Sequence, residues 1–341
     1  MQLTDEEKQI FCELIAEDSA SRESGAWQGE DERASLVATG ASDAARETLS
    51  QLLASKSAYN FRVNGKSIGR NSTNNIDVVP KKDKSGLDIY IKPGTKNETV
   101  HIPVAISVTG LEEDVYNDFH IGDNADVIIV AGCGIYNCGG QDSVHNGIHR
   151  FHVGKNAKIR YIEKHYAFGK GPGGKILNPV TDVNLAENAE ATLELEQIKG
   201  VDSTIRTTTA TLADSAKLFV KERLLTHARQ TAESIYEVAL NGSGSTADIA
   251  SRSIARDASQ QLFKATIIGN NHCCGHSSCD AILMDDATVH AIPALDARTK
   301  NAELIHEAAI GKIAKDQLIK LMTLGLTQKE AESRIINGFL R

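Results

Sequence analysis

Large rings are scarce in this chain: aromatic residues make up 5% of 341, and Trp27 is the sole tryptophan. A core without them is filled with Val, Ile, Leu and Ala, which suits narrow, regularly layered packing. Basic residues are also in deficit, 37 Lys and Arg against 45 Asp and Glu, giving a net charge of −8 with no long Lys/Arg run. That argues against a nucleic-acid partner, which would call for a basic face. No apolar run reaches the length of about 18 residues that a transmembrane helix needs, so no membrane partner is expected. The opening Met1-Gln2-Leu3-Thr4-Asp5-Glu6-Glu7-Lys8 lacks the basic and apolar regions of a secretory signal. A cytoplasmic protein is the expectation.

Thr4 to Glu7 form a capping-box pattern, and Ile10, Phe11, Leu14 and Ile15 follow at helical spacing. Ala34 to Ala58 is again compatible with helix, so residues 1–58 read as an N-terminal helical segment. From Tyr59 to about Ala294 the composition changes to short Val, Ile and Thr runs broken by Gly, Asn and Asp turns. One phrase returns there. It starts at Ile121, Val153, Leu185 and Leu212, with looser copies at Leu240 and Ile268, in steps of 32, 32, 27, 28 and 28 residues. In the clearest copies an aliphatic residue is followed by Gly-Asp-Asn-Ala, Gly-Lys-Asn-Ala or Ala-Glu-Asn-Ala.

A near-fixed period of this length marks a repeat architecture. Without amphipathic helices or a leucine signature, the units predict a mainly β, right-handed parallel β-helix over 59–294, in which each coil buries its inward residues against its neighbours. A β-sandwich is the bland competitor, and the Asn-Ala turn at matching register favours the solenoid. After Pro293, residues 295–341 read as helical. Ala302 to Ile319 has apolar positions at helical spacing. Leu318, Leu321, Met322 and Leu324 run to a C-cap at Gly325, and Thr327 to Glu330 opens a last helix through Phe339. This hairpin is expected to cap the last coil and to bind a partner.

Six cysteines occur, at 12, 133, 138, 273, 274 and 279. The densest constellation is His272-Cys273-Cys274-Gly275-His276-Ser277-Ser278-Cys279-Asp280. Thiolate and imidazole ligate iron, zinc and copper(I), and thiolates accept persulfide sulfur. The spacing is neither that of a closed zinc finger nor that of a ferredoxin run. An incomplete ligand set suits a transient site, although a buried free cysteine is commonly plain core. His306-Glu307 follows Cys279 at 27 and 28 residues, about one coil, which could bring the pair near it; read alone, such a pair is usually solvated. Cys133 and Cys138, with His145, His149, His152 and His165, form a weaker group for metal or sulfur handling. Gly169 to Lys175 is glycine-rich but lacks the Gly-Lys-Ser/Thr ending of a phosphate loop, and no Gly-x-Ser-x-Gly elbow is present. ATP chemistry therefore belongs to another subunit.

The segment from Gly269 to Phe339, with Ser278-Cys279-Asp280-Ala281, Pro293, His306-Glu307-Ala308, Gly311-Lys312-Ile313, Asp316-Gln317-Leu318 and Gly338-Phe339, resembles the SufB/SufD family of iron–sulfur cluster assembly scaffolds. It is most similar to the short SufB-like, SmsB-type forms. The resemblance implies a non-catalytic scaffold that builds and passes on a transient [4Fe-4S] or [2Fe-2S] cluster. It implies Cys279 and Glu307 as cluster-site residues, and His306 as the histidine that SufD contributes. A chain holding all three would build the site across a homodimer. His272, Cys273, Cys274 and His276 depart from the common SufB pattern and are candidate ligands or sulfur-relay thiols.

A SufC-type ABC ATPase is the implied partner, docking on the C-terminal helical region through Ile310, Ile313, Leu318, Leu321, Met322 and Phe339. A sulfur donor and recipient apoproteins are implied as well, and flavin binding is left open. Two other readings stand beside this one: a β-helical zinc enzyme using His272, His276 and Cys279, and a SufD-like structural partner that holds no cluster.

Overall fold

The computed structural model describes residues 57–340. The N-terminal helical segment, with Cys12 and Trp27, lies almost wholly outside the described residues. From Ala58 the chain winds into a mainly β solenoid of about 8 turns. Each coil contributes a strand to each of two 10-stranded sheets. Sheet I holds the strands Asp126–Tyr136, Lys158–Phe168, Glu190–Lys199, Lys217–Thr226, Ser245–Ala255, Cys273–Leu283 and Ala302–Gly311 side by side and parallel. Sheet II ends on Thr288–Ala297. Antiparallel hairpins at Ala58–Asn71 and Ile76–Ile91 begin the two sheets.

The repeated phrase is a corner and the strand end before it. Ile91, Ile121, Val153, Leu185, Leu212 and Leu240 stand in register along sheet II, and all are buried. Each buried aliphatic rung contributes about 1.5–3 kcal/mol relative to an exposed one. The final copy falls at Gly269, one residue after the start expected at Ile268. The Asn of each Asn-Ala turn takes the left-handed conformation, with φ of 60° at Asn124, 55° at Asn156 and 57° at Asn188. Asn reaches that region more readily than most side chains, so the repeat conserves a backbone shape. The Ala that follows is buried at the corner in each copy, at 125, 157 and 189. Phe119 stacks on Phe151 at 4.6 Å inside the early coils.

The C-terminal reading needs correction. Ala302–Gly311 is a strand, so the solenoid runs past 294 and helix starts only at α1, Lys315–Thr323. Leu304, Ile305, Ala308 and Ala309 satisfy a helical period by coincidence. The open edge of Cys273–Leu283 offers a continuous ladder, and the segment pairs with it over ten positions. The last helix, α2 at Gln328–Phe339, does carry the expected capping box of Thr327 and Glu330, and Gly325 follows α1 at φ 95°.

The hairpin does not lie over the last coil. Ile336, Phe339 and Leu340 pack against Leu225, Ile254, Ile282 and Met284 on the flank of the solenoid. The terminal strands are sheet edges, and even inward positions such as Leu295 and Ile310 stay exposed.

Candidate functional site at the open end

Strand alternation divides the predicted site residues between two faces. On Cys273–Leu283, the side chains of Cys273, Ser277 and Cys279 turn into the core, while Cys274, His276, Ser278 and Asp280 turn outward. Gly275 is required between them. A Cβ there would lie 2.7 Å from Ile267 and 2.9 Å from Leu304. The neighbouring edge strand sets His306 opposite Ser277 and Glu307 opposite Ser278. His306 shares the inner side, its Nδ1 2.8 Å from Ser277 Oγ. Glu307 is on the outer side, its carboxylate 3.8 Å from His276 Nε2. His272 is exposed in the turn before the strand.

The fold therefore brings Cys279 and His306 to one side of adjacent strands and His276 and Glu307 to the other. Among the described residues no three His, Cys, Asp or Glu side chains converge on a metal position. The zinc set of His272, His276 and Cys279 is divided between an exposed turn, the outer face and the core.

Cys279 is 1% exposed. Burial, with Glu222 and Asp280 nearby, pushes its thiol up to about 12. It is thus a protonated thiol at neutral pH. Burial also raises the Cys273 thiol.

Behind Cys279, the sequence hides a buried polar axis. Ser251, in register with Cys279, donates 2.7 Å to Glu222. Glu222 also accepts from Ser234 at 2.5 Å and from Tyr236 at 3.0 Å. Arg206 Nε stands 3.8 Å from Glu222 and pairs through Nη1 with Glu163. Arg206 further reaches His165 Nδ1 at 3.2 Å, and His165 is in register with Cys133. Arg206 holds the Glu163 carboxyl well below the usual range against the pull of burial. Glu163 accepts from Tyr161, whose hydroxyl lies 2.6 Å from His149. Burial, then Glu113 and Glu163, raises the Cys133 thiol.

The second sequence group is likewise divided. Cys133, His145, His149 and His165 are buried, whereas Cys138 and His152 are exposed. Glu222, Arg206, Glu163 and Ser251 escaped the sequence reading, because isolated polar residues on alternating strands look like outward positions. Asp248 escaped it too, although it stands 28 residues before His276, one coil away.

Of the expected docking residues, Ile310 and Met322 are exposed, Ile313, Leu318 and Leu321 are half-buried, and Phe339 faces the solenoid. Ile319 and Leu324 add to the exposed apolar surface of α1, Leu324 at 81%. A groove of about 840 Å³ on sheet II, lined by Tyr90, His120, His152 and Asn184 among others, contains none of the thiols. No helix among the described residues is long and apolar enough to cross a membrane.

Fold and site define a parallel β-solenoid with thiols and imidazoles gathered at an open end. The model of the SUF system FeS cluster assembly, SufBD core domain matches residues 116–339. The chain belongs to the SufBD family. It is 30% identical over 284 residues to a SufBD family iron–sulfur cluster assembly protein of Methanocaldococcus jannaschii, covering 77% of this chain and 84% of that protein. A homologue from Methanothermobacter thermautotrophicus is 30% identical over 224 residues, 64% of this chain and 53% of its own length. A relative from Pyrococcus horikoshii is 27% identical over 283 residues, covering 81% and 84%. The chain thus spans about half the length of the Methanothermobacter relative.

Proposed function

We propose that this protein is a scaffold subunit on which iron–sulfur clusters are assembled and from which they are transferred. The cluster site is completed when two copies meet at their open ends. One observation carries the reading: a buried thiol, Cys279, lies one strand in from a sheet edge that bears His306 and Glu307 and is unpaired among the described residues. An exposed edge with Ile292, Leu295, Ile305 and Ile310 uncovered is a template for strand pairing. A two-fold contact would double each ligand and bury these side chains. Thiolate, imidazole and carboxylate together suit temporary holding of iron and sulfide as cargo.

In this reading Cys279 and His306 are cluster ligands, with Cys273 beside them. Sulfur arrives from a donor as persulfide or sulfide and is handled at Cys133, which the buried polar side chains of Glu163, Arg206, Glu222 and Ser251 separate from Cys279. The exposed Cys138 is a second candidate for receiving it. A SufC-type ABC ATPase docks on the C-terminal hairpin through Leu318, Leu321 and Met322, and apoproteins take the finished cluster.

The test is anaerobic reconstitution with ferrous iron and sulfide, followed by visible absorption, on wild type, Cys279→Ala and His306→Ala. A labile chromophore lost in both variants supports the site. A chromophore untouched by either change moves the site to Cys133 and Cys138.

A further inference from the structure

The outer face of the last three coils carries a group that the cluster reading does not use as a unit. His276 Nδ1 lies 2.8 Å from Asp248 Oδ1 on the preceding coil. Its other ring nitrogen faces Glu307 on the following coil at 3.8 Å. The first distance is a hydrogen bond; the second is too long for one. Two ligands bonded at about 2.1 Å to one cation stand roughly 3.4 Å apart at a tetrahedral angle. The Glu307 side chain is 73% exposed and free to close that difference.

A carboxylate on the far nitrogen fixes the tautomer and orientation of a metal-binding imidazole. Asp248 stands in that place, held by the parallel register that sets it directly opposite His276. Imidazole plus carboxylate suits borderline divalent cations such as ferrous iron, with water filling the open positions.

We propose that His276 and Glu307, with Asp248 as the orienting residue, form a thiolate-free half-site for a divalent cation on the outer face, distinct from the inward Cys279. Resting on the scaffold reading, this half-site holds ferrous iron on one side of the same strands whose inward thiols, Cys273 and Cys279, take sulfur on the other. A second copy meeting the open end would add its own His276 and Glu307.

The test is anaerobic equilibrium dialysis of the full chain against Co²⁺ without sulfide, with near-ultraviolet spectra to detect thiolate-to-cobalt absorption. Wild type is expected to bind Co²⁺ with no thiolate band. His276→Ala should abolish that binding. Asp248→Asn should weaken it about tenfold, the effect of losing an outer carboxylate. Cys279→Ala should leave it unchanged. Binding that survives His276→Ala overturns the proposal, as does a thiolate band that disappears in Cys279→Ala. A wild type that takes Co²⁺ through His276 yet forms no chromophore with iron and sulfide would sink the scaffold reading and keep the cation site. All three substituted outer-face or core positions sit in strands otherwise intact, and unchanged far-ultraviolet circular dichroism verifies that each variant folds.

Discussion

Replacing Arg206 by methionine is expected to destabilise the middle coils by about 3–5 kcal/mol, the range for stripping one partner from a buried pair. The guanidinium and the Glu163 carboxylate are both almost completely buried, at 4% and 2% side-chain exposure. Without Arg206, Glu163 keeps the Tyr161 hydroxyl at 2.7 Å and His165 at 3.8 Å, but no permanent cation. The folded state can escape by protonating Glu163. At pH 7 that escape costs roughly 1.4 kcal/mol for each unit above an ordinary carboxyl value of about 4.5, or about 3.4 kcal/mol. The two estimates agree.

The sign with pH follows. In the variant Glu163 has a raised folded value, so its penalty shrinks as pH falls from 7 towards 5. Urea unfolding followed by circular dichroism measures the loss. Hydrogen exchange over Lys158–Phe168 and Ser203–Leu212 locates it. The double variant Arg206→Met with Glu163→Gln should recover part of the loss, since Glu163 is then neutral and only Glu222 has lost its cation. A single-variant cost below about 1 kcal/mol, or a double variant as damaged as the single, would refute the reasoning.

Two further outcomes are expected. Burial lowers His101 to about 4, and its Nδ1 has no hydrogen-bond partner among the described residues. The unfolded chain takes up that proton near pH 6.5, so its contribution is fully present above 6.5 and is lost as pH falls towards 4, at up to about 1.4 kcal/mol per unit. Urea midpoints of wild type and His101→Leu between pH 7 and 4.5 should show the variant with the shallower slope; equal slopes would count against it. At the Asn156 corner, with φ of 55°, Asn156→Val should cost about 1–2 kcal/mol while Asn156→Gly stays near neutral. Equal losses in thermal unfolding would mean that the side chain, not the backbone shape, holds the corner.

The solenoid was legible because its corners repeat a backbone requirement. Asn124, Asn156 and Asn188 occupy the left-handed position and Ala125, Ala157 and Ala189 the buried one, so the spacing itself reports the coils. The same spacing linked Cys279 to His306 and Glu307. The face of each residue was not legible while 302–311 read as helix. Once that segment is a strand, alternation sends His306 inward and Glu307 outward. The interior axis was hidden for another reason. Glu222 interrupts an inward row of Leu218, Val220 and Leu224, Arg206 shares its inward side with Thr204 and Thr208, and only partners from the facing sheet make such buried charges tolerable. The docking surface was half legible: Met322 is exposed as expected, while the amphipathic stripe gave no means of knowing that Phe339 closes onto Ile254.

Anaerobic native mass spectrometry of the reconstituted protein tests the central claim most directly, because it weighs the chain and its cargo together. The expected species is a dimer carrying labile iron and sulfide, lost in Cys279→Ala. Iron and sulfide on a monomer, or retained by Cys279→Ala, would contradict a cluster site built across two open ends.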